Sequence, residues 1–344
     1  MTRFISVVIP VRNEARHISL VLDSLLCQSY PLDRFEILVI DGCSEDATFG
    51  IVSDYVLRYS GRVRLFTNEK RLSSAARNIG VKNSCGDIIL IVDGHCIISD
   101  WAMLLRVDEL FSATGADCLG RPQPLEMANA TLFQWAIASC RRSWLGHHPD
   151  SFIYSGVGCF VPAISVGVIY RREIFERIGY FDEGFDACED VEFNYRLDVA
   201  GLSCYFDPCI AVRYVPRGTF CGLAFQMYRY GCGRVRLYCK HPATFSIKSF
   251  GLGFFVLWLI FCFCVSLFDI CFFGGYFFAA YCCVLFFYLL VILIESVRVA
   301  ILQYKLKILP LLVLVFLTIH LSFGWGIVRE FFSSIFRFKF RIRH

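Results

Sequence analysis

The sequence predicts an α/β domain built on a largely parallel sheet, followed by a region of membrane helices. Two observations predict this architecture. Short apolar runs alternate with helical patterns from the N-terminus onward, and residues 249–328 are almost free of charge. The 344 residues provide enough chain for one full domain and a membrane region.

Four apolar runs, 4–10, 35–41, 63–67 and 87–93, are predicted strands, and the segments 14–27, 46–58 and 73–82 between them are predicted helices. Strands that are apolar on both faces and alternate with helices indicate a parallel sheet covered on both sides. Ligands bind such sheets beyond the carboxyl ends of the strands. We therefore expect functional residues directly after these runs.

Acidic residues end two of the predicted strands. Asp41 can accept hydrogen bonds from a ribose or a base, although Asp-Gly also forms turns without any ligand. Asp93 and His95 can together face Mg²⁺ or Mn²⁺, which would neutralise a diphosphate; an ordinary turn is the alternative. For the triplet Asp93-Gly94-His95 alone the turn is the favoured interpretation, and Asp93 with His95 is a candidate metal site.

Two further segments carry charge. Arg71 and Arg77 flank the start of the third helix, where they suit phosphate oxygens, unless they are solvated surface arginines. Six carboxylates lie within 182–192 beside phenylalanines that should draw the segment to the core. Apolar walls and neighbouring charges raise a carboxyl pKa, so we expect a general base here rather than only a solvated helix start.

Other sites are not indicated. No Gly-rich dinucleotide or P-loop motif is present, and the 18 cysteines form no C-x-x-C pair. Several cysteines lie in the apolar region, which is typical of reduced thiols rather than of a disulfide framework or a zinc site.

The predicted domain organisation has four parts. Residues 1–216 form the cytosolic domain, 217–248 an amphipathic juxtamembrane segment, 249–328 the membrane region and 329–344 a basic aromatic tail. The membrane region contains the uncharged stretches 249–268, 271–294 and 308–328, each long enough to span the bilayer. Buried helices of a soluble core are the alternative. The N-terminal apolar run is too short for a signal peptide, so we expect the first domain to remain in the cytosol.

The charge of the tail conflicts with three spans. Eight Lys and Arg residues against one Glu follow Ser296, and basic flanks favour the cytosolic side. Three spans starting from a cytosolic domain would place this tail outside. One explanation is that the third stretch, which contains Pro310, Gly324 and Gly326, is re-entrant or in-plane. The other is that this chain does not follow the preference of basic flanks for the cytosolic side, which we call the charge rule.

The order of the motifs resembles the family-two glycosyltransferases of the A-type nucleotide-diphospho-sugar fold, which has a Rossmann-like mixed sheet. The resemblance rests on Pro10 with Asn13-Glu14, Asp41-Gly42, Ser73 to Asn78, Asp93-Gly-His95, Phe181-Asp182, Glu189-Asp190 and Gln226-x-x-Arg229-Tyr230. Asp93-Gly-His95, Lys240-His-Pro242 and His320 to Gly326 are similar to the succinoglycan-biosynthesis glucosyltransferase subgroup.

The resemblance implies roles for these residues. The nucleoside would be bound by Pro10, Glu14 and Asp41, and the pyrophosphate side by Arg71 and Arg77. Asp93 would contact the donor and, together with His95, bind the metal. Asp190 would be the catalytic base, and Asp182, Glu189, Gln226, Arg229 and Tyr230 would contact acceptor or diphosphate. Two residues depart from the family pattern: His95 replaces the second Asp of Asp-x-Asp, and Tyr230 replaces the Trp typical of processive synthases.

We therefore expect an inverting hexosyltransferase, with glucose the expected sugar, that uses Mg²⁺ or Mn²⁺ and a UDP-hexose donor. The expected acceptor is a polyprenyl-linked saccharide, and the expected location is the inner (plasma) membrane, as a multi-pass protein with a cytoplasmic catalytic domain. Nucleic-acid binding is not expected. The alternatives are a transferase that loads polyprenyl phosphate directly and a non-catalytic membrane scaffold that binds nucleotide.

Overall fold

The computed structural model describes residues 2–128, 130–147, 151–272 and 276–341, with the backbone alone for 267–272, 276 and 336–341. The chain forms two compact units. The first comprises Met1–Glu126 and Asp150–Val215, and the second comprises Met127–Pro149 and Pro216–His344. The first unit ends at Val215, and residues 127–149, which lie within the predicted domain 1–216, are part of the second unit. The four-part domain organisation stays a prediction.

A mixed sheet forms the centre of the first unit. Its strands are β1 (Ile5–Val11), β2 (Phe35–Asp41), β3 (Val63–Thr67), β4 (Ile88–Ile91), β6 (Cys118–Arg121), β7 (Cys159–Phe160), β8 (Gly167–Arg171) and β9 (Cys204–Phe206), in the order β3-β2-β1-β4-β8-β6-β9-β7. The four strands β1 to β4 are parallel, as predicted, and β8 runs antiparallel to both β4 and β6. The short strands β5 (Cys96–Ile97) and β10 (Arg213–Tyr214) pair separately.

Helices cover both faces of this sheet. They are α1 (Ile18–Leu26), α2 (Thr48–Arg58), α3 (Ser73–Asn83), α4 (Met103–Thr114), α6 (Glu173–Ile178) and α7 (Glu189–Val199). Alternate residues of β1 enter different cores: Val7 packs with α1, α2 and α4, whereas Val8 packs with α3, α6 and α7. Gly80 lets α3 approach closely, since a Cβ there would lie 2.2 Å from Val8 Cγ1. The A-type fold with its mixed sheet is confirmed.

The second unit is helical. It contains α5 (Leu132–Arg142), α8 (Phe220–Lys240), α9 (Ile247–Phe272), α10 (Tyr276–Leu302) and α11 (Leu309–Arg341). Three segments are long and apolar enough to cross a membrane, namely Ile247–Ser266, Phe277–Leu302 and Leu306–Ile335. This confirms the predicted C-terminal membrane helices.

The third apolar segment is one continuous helix. Pro310 lies in the first turn of α11, where a missing N–H is tolerated, and neither Gly324 nor Gly326 interrupts the helix. The predicted basic tail begins inside α11. The described part of the chain does not include residues 342–344. It also leaves out the side chains of 336–341, among them those of Arg337, Lys339 and Arg341.

Candidate active site

The loops that follow β1 and β2 are joined by hydrogen bonds around Asp41. This carboxylate is buried, and its two oxygens accept from the Ser44 hydroxyl (2.5 Å) and the Ser44 backbone N–H (3.0 Å). The Ser44 Oγ atom in turn accepts from the backbone N–H of Asn13 at 2.9 Å. Asp41 therefore forms a turn, the alternative role considered for it, and this turn fixes the carboxylate at the edge of the sheet.

Glu14 connects the β1 loop to the loop that follows β4. Its Oε1 atom lies 3.0 Å from His95 Nδ1, and its Oε2 atom lies 3.2 Å from His17 Nδ1. Burial alone would raise the pKa of Glu14, but the hydrogen bonds from the two histidines outweigh burial and lower that pKa. Glu14, predicted to bind the nucleoside, thus orients the ring of His95. Helix α1 begins only at Ile18, which leaves Glu14 in the loop.

Gly94 permits this contact. A Cβ at Gly94 would lie 2.7 Å from Val11 Cγ1 and 3.2 Å from Glu14 Cγ, so any other residue would require these side chains or the loop to shift. The Asp-Gly-His sequence therefore has a steric requirement as well as a chemical one, since the glycine places His95 against Glu14.

Arg77 is the centre of a buried charge cluster. Its Nη2 atom lies 3.3 Å from Glu189 Oε1 and 3.8 Å from Asp93 Oδ1, and its guanidinium carbon lies 5.5 Å from the centre of the Phe181 ring. Burial would lower the pKa of Arg77, but Glu189, Asp190 and Asp93 together raise it. The structure thus places Arg77 between the predicted donor-binding carboxylate and the acidic segment.

The two acids that begin α7 have different environments. Glu189 is buried, and burial raises its pKa against the opposing effect of Arg77. Asp190 is partly exposed and close enough to Arg77 for its charge to raise the arginine pKa. Because it is buried against Arg77, Glu189 is better placed to hold that arginine than to contact an acceptor. Asp190 remains the carboxylate of this pair with access to solvent.

The remaining predicted residues of the first unit lie in loops or at the sheet edge. Pro10 is the next-to-last residue of β1 and pairs with Ile40. Arg71 is half exposed, 3.8 Å from a Glu45 oxygen, and has a left-handed backbone with φ 58°. Asp182 accepts the Gly184 N–H at 2.8 Å, so at least part of its carboxylate stabilises a turn.

The predicted Gln226, Arg229 and Tyr230 belong to α8 of the second unit. Gln226 donates to the Tyr230 hydroxyl at 3.2 Å, and the Arg229 guanidinium lies 5.9 Å from the centre of the Phe225 ring. Both contacts are within one helix. The predicted acceptor role of these three residues remains a prediction.

Arg121 is a functional candidate that sequence reasoning missed. It is 3% exposed at the end of β6, and its Nη2 atom donates to Ile91 O (3.1 Å) and to the Tyr214 hydroxyl (3.2 Å). The Tyr214 ring stands edge-on to the His95 ring at 6.0 Å. Arg121 and Tyr214 thus support the segment that carries Asp93 and His95. The sequence signal that indicates Arg121 is an arginine at the end of an apolar strand.

The residues present fit a divalent ion that also binds the donor. No group of three or more His, Cys, Asp or Glu side chains is placed to hold a metal alone within residues 2–128, 130–147, 151–272 and 276–341. Mg²⁺, however, is commonly held by one or two carboxylates plus substrate phosphates. Asp93 is 27% exposed at the sheet edge, and His95 has the carboxylate partner that usually orients a metal-binding imidazole.

Comparisons with known proteins identify the family of the chain. Residues 6–179 match the family model "Glycosyl transferase family 2". The chain is 31% identical to the succinoglycan biosynthesis protein ExoA of Rhizobium meliloti, over 71% of this chain and 72% of that protein. It is 28% identical to glycosyltransferase AglE of Haloferax volcanii, over 74% of this chain and 80% of that protein. The predicted family resemblance is confirmed.

Solved structures resemble the fold at lower identity. The mannosyltransferase PcManGT of Pyrobaculum calidifontis, in complex with GDP-Man and Mn²⁺, has a TM-score of 0.53 and 19% identity, over 72% of this chain and 66% of that chain. Residues 1–349 of Staphylococcus aureus TarS, in complex with UDP-GlcNAc, have a TM-score of 0.50 and 17% identity, over 96% of this chain and 92% of that chain. At these identities the likeness establishes the fold alone.

Proposed function

The chain belongs to glycosyl transferase family 2, and on this premise we propose that it transfers a hexose from a nucleotide diphosphate sugar to a lipid-linked saccharide, with inversion at the anomeric carbon. UDP-glucose is the proposed donor, and a polyprenyl-linked sugar is the proposed acceptor. The proposed location is the inner membrane, with the catalytic unit in the cytoplasm.

One observation carries the proposal. Arg77 contacts both Asp93 and Glu189, and Glu189 is the neighbour of Asp190 along the chain. A donor-binding carboxylate and a partly exposed candidate base therefore lie beside the same buried guanidinium. A single displacement needs these two groups on one side of the sheet, because the base must reach the acceptor while the donor is bound.

In the proposed reaction Asp190 takes the proton from the acceptor hydroxyl as that oxygen attacks the anomeric carbon. The bond between the anomeric carbon and the phosphate oxygen breaks, and the nucleoside diphosphate leaves with the bonding electrons. Arg71 would stabilise the departing charge. A divalent ion held by Asp93 and His95 would supply further charge neutralisation. One in-line attack inverts the configuration.

The lipid acceptor is supported by the apolar helices and by the relatives. Three segments of the chain could cross a membrane. A further relative, 26% identical over 67% of this chain and 73% of that protein, is named for a dolichyl-phosphate-linked substrate in Methanococcus voltae. Radiolabelled sugar should therefore partition into the organic phase when membranes containing the protein receive a labelled donor. Label found only on a soluble acceptor would contradict this part of the proposal.

Asp190→Asn tests the base. General base catalysis contributes about 10²–10⁴-fold, so turnover should fall by roughly that factor while the dissociation constant for UDP with Mn²⁺ changes less than about threefold. Asp54→Asn, an exposed carboxylate on α2, is the matched control and should retain wild-type turnover. Wild-type turnover by Asp190→Asn would refute the assignment. Such a result would favour direct transfer to polyprenyl phosphate, because an ionised phosphate acceptor needs no base.

Calorimetric titration with UDP separates an enzyme from a nucleotide-binding scaffold. We expect tighter binding with Mn²⁺ than without it, and we expect Asp93→Asn to remove most of that difference. UDP binding that is equally tight with and without Mn²⁺ would contradict the proposed donor site.

A further inference from the structure

Helices α9 and α10 form an antiparallel hairpin. The rings of Phe255 and Tyr288 lie 4.7 Å apart between centres, and those of Phe263 and Tyr281 lie 6.5 Å apart. Residue numbers therefore rise along α9 as they fall along α10. The start of α9 and the end of α10 lie at the same end of this pair, which we call the near end of the hairpin (residues 247–256 and 288–302).

The N-terminal end of α11 is attached to this near end. Only residues 303–308 separate Leu302, the last residue of α10, from Leu309, the first residue of α11. A short helical turn at Leu306–Ile308 occupies half of this connection. The beginning of α11 is thus within a few residues of the near end.

The C-terminal half of α11 contacts the same end. A Cβ at Gly324 would lie 2.5 Å from Leu252 O, and a Cβ at Gly253 would lie 2.4 Å from Ile327 Cγ2. Ile327 also packs in a buried cluster with Phe250 and with Val235 of α8. The glycines allow α11 to pack closely against the first turns of α9.

Glu330 provides a second connection. Its side chain is fully buried, and its Oε1 atom accepts from Arg236 Nε of α8 at 2.9 Å. Two residues after Arg236, the Tyr238 ring packs 5.6 Å from the ring of Phe250 at the start of α9. The ion pair is therefore connected through α8 to the near end of the hairpin.

A spanning helix could not make both sets of contacts. From Leu309 to Glu330 a helix rises about 31 Å, which is roughly the thickness of the hydrocarbon core. If α11 crossed the bilayer from the near end, Glu330 and Ile327 would lie at the opposite surface, far from Phe250 and Arg236. We propose that α11 lies across the near end of the hairpin, in the plane of the membrane, and that the chain crosses the membrane only twice.

The two faces of α11 fit a helix that rests in one leaflet. Leu314, Leu321, Trp325 and Phe332 are exposed and follow one another at intervals of seven, four and seven, so they form one stripe. The opposite face, with Leu312, Val315, Phe316 and Ile319, is buried. The partner of the exposed stripe is the acyl-chain boundary of the leaflet, and Arg329, half exposed beside it, reaches the headgroups.

This arrangement removes the conflict between the basic tail and the number of spans. With two crossings, residues 331–341 lie on the side of the membrane from which α9 begins. That is the side of the N-terminus, since no helix before α9 qualifies as a span in the described part of the chain. The basic tail can then meet the anionic cytosolic leaflet, as the charge rule requires.

Protease protection of three tags in sealed membrane vesicles tests the proposal. One full-length protein carries a tag before Met1, a second carries it after His344 and a third carries it between Phe273 and Gly275. The terminal tags should be cleaved, or protected, together, and the internal tag should show the opposite result. Opposite results for the two terminal tags would refute the in-plane helix, and identical results for all three would refute the hairpin. Monodisperse elution in detergent confirms that each tagged protein folds.

A pair of lysine substitutions gives an independent measurement without inserted tags. Leu321 lies near the middle of α11 on the exposed stripe, and Leu289 lies near the middle of α10, also exposed. A lysine at the centre of a spanning helix is costly, whereas a lysine on an interfacial helix extends to the headgroups. We expect the amount of membrane-inserted Leu321→Lys protein to stay within about twofold of wild type. The amount of membrane-inserted Leu289→Lys protein should be at least about fivefold lower than that of Leu321→Lys. An equal loss in both variants would contradict the proposal.

Discussion

Replacing Arg77 with methionine is expected to destabilise the catalytic unit strongly. The guanidinium is 11% exposed, and its partner Glu189 is 7% exposed, so the change leaves a buried carboxylate without its cation. Removing one partner of a buried pair costs about 3–5 kcal/mol. For a domain of this size the loss corresponds to roughly 6–20 °C in the unfolding temperature.

Thermal unfolding of the detergent-solubilised protein, followed by intrinsic fluorescence, measures this effect. The matched control is Arg106→Met, because Arg106 pairs with Asp100 at 2.7 Å, a shorter distance, but is 46% exposed. An exposed pair contributes about 0–1 kcal/mol. The double variant Arg77→Met/Glu189→Met removes both charges and should regain part of the lost stability.

Burial, rather than the N···O distance, is expected to decide how much each of these ion pairs contributes to stability. An Arg77→Met protein that unfolds within a degree of wild type would refute this expectation. Equal losses for Arg77→Met and Arg106→Met would refute it as well.

Three further changes test the loops at the sheet edge. Gly94→Ala places a methyl group 2.7 Å from Val11 Cγ1 and should cost about 1–3 kcal/mol, measured as a lower unfolding temperature. Tyr214→Phe removes a hydroxyl that accepts from buried Arg121 and should cost about 1–3 kcal/mol in the same assay. Asp41→Asn should weaken UDP binding about tenfold in calorimetry if Asp41 binds the nucleoside, equivalent to about 1.4 kcal/mol.

The first four strands could be predicted from sequence because the signal is local. The residues of β1 and β2 are mostly apolar on both faces, a pattern typical of a parallel sheet that is covered on both sides. The helices that follow were placed within a few residues. The start of α1 was predicted at Glu14 and observed at Ile18, because the loop contacts of Glu14 compete with helix formation.

The contacts within the site could not be predicted, because they join distant parts of the chain. His95 and Glu14 are 81 residues apart, and their contact depends on the missing Cβ of Gly94. The left-handed backbone at Asn13 and Cys43 is equally invisible in a single sequence. Arg121 ends an apolar strand, and its contact with Tyr214 arises only when β6 and β10 are both in place.

Helix α5 was not predicted at all, although its capping box at Thr131 and Gln134 is a recognisable local signal. Its buried residues face α11 and the connection that precedes it: Cys140 Sγ lies 3.7 Å from Leu312 O, and Lys305 Nζ lies 4.0 Å from the centre of the Trp135 ring. Those partners come from the C-terminal part of the chain, which the pattern of residues 127–149 does not reveal.

The position of α5 in the chain restricts how the protein can be shortened or recombined. The chain leaves the sheet after β6, contributes α5 to the helical unit, and then returns to build β7 to β9. A fragment that stops at residue 216 would retain α5 without α10 and α11, exposing Trp135 and its apolar neighbours, so it should be poorly soluble. Gene fusion or domain exchange at one junction cannot separate the units, and grafting this catalytic domain onto another anchor requires redesign of α5 too.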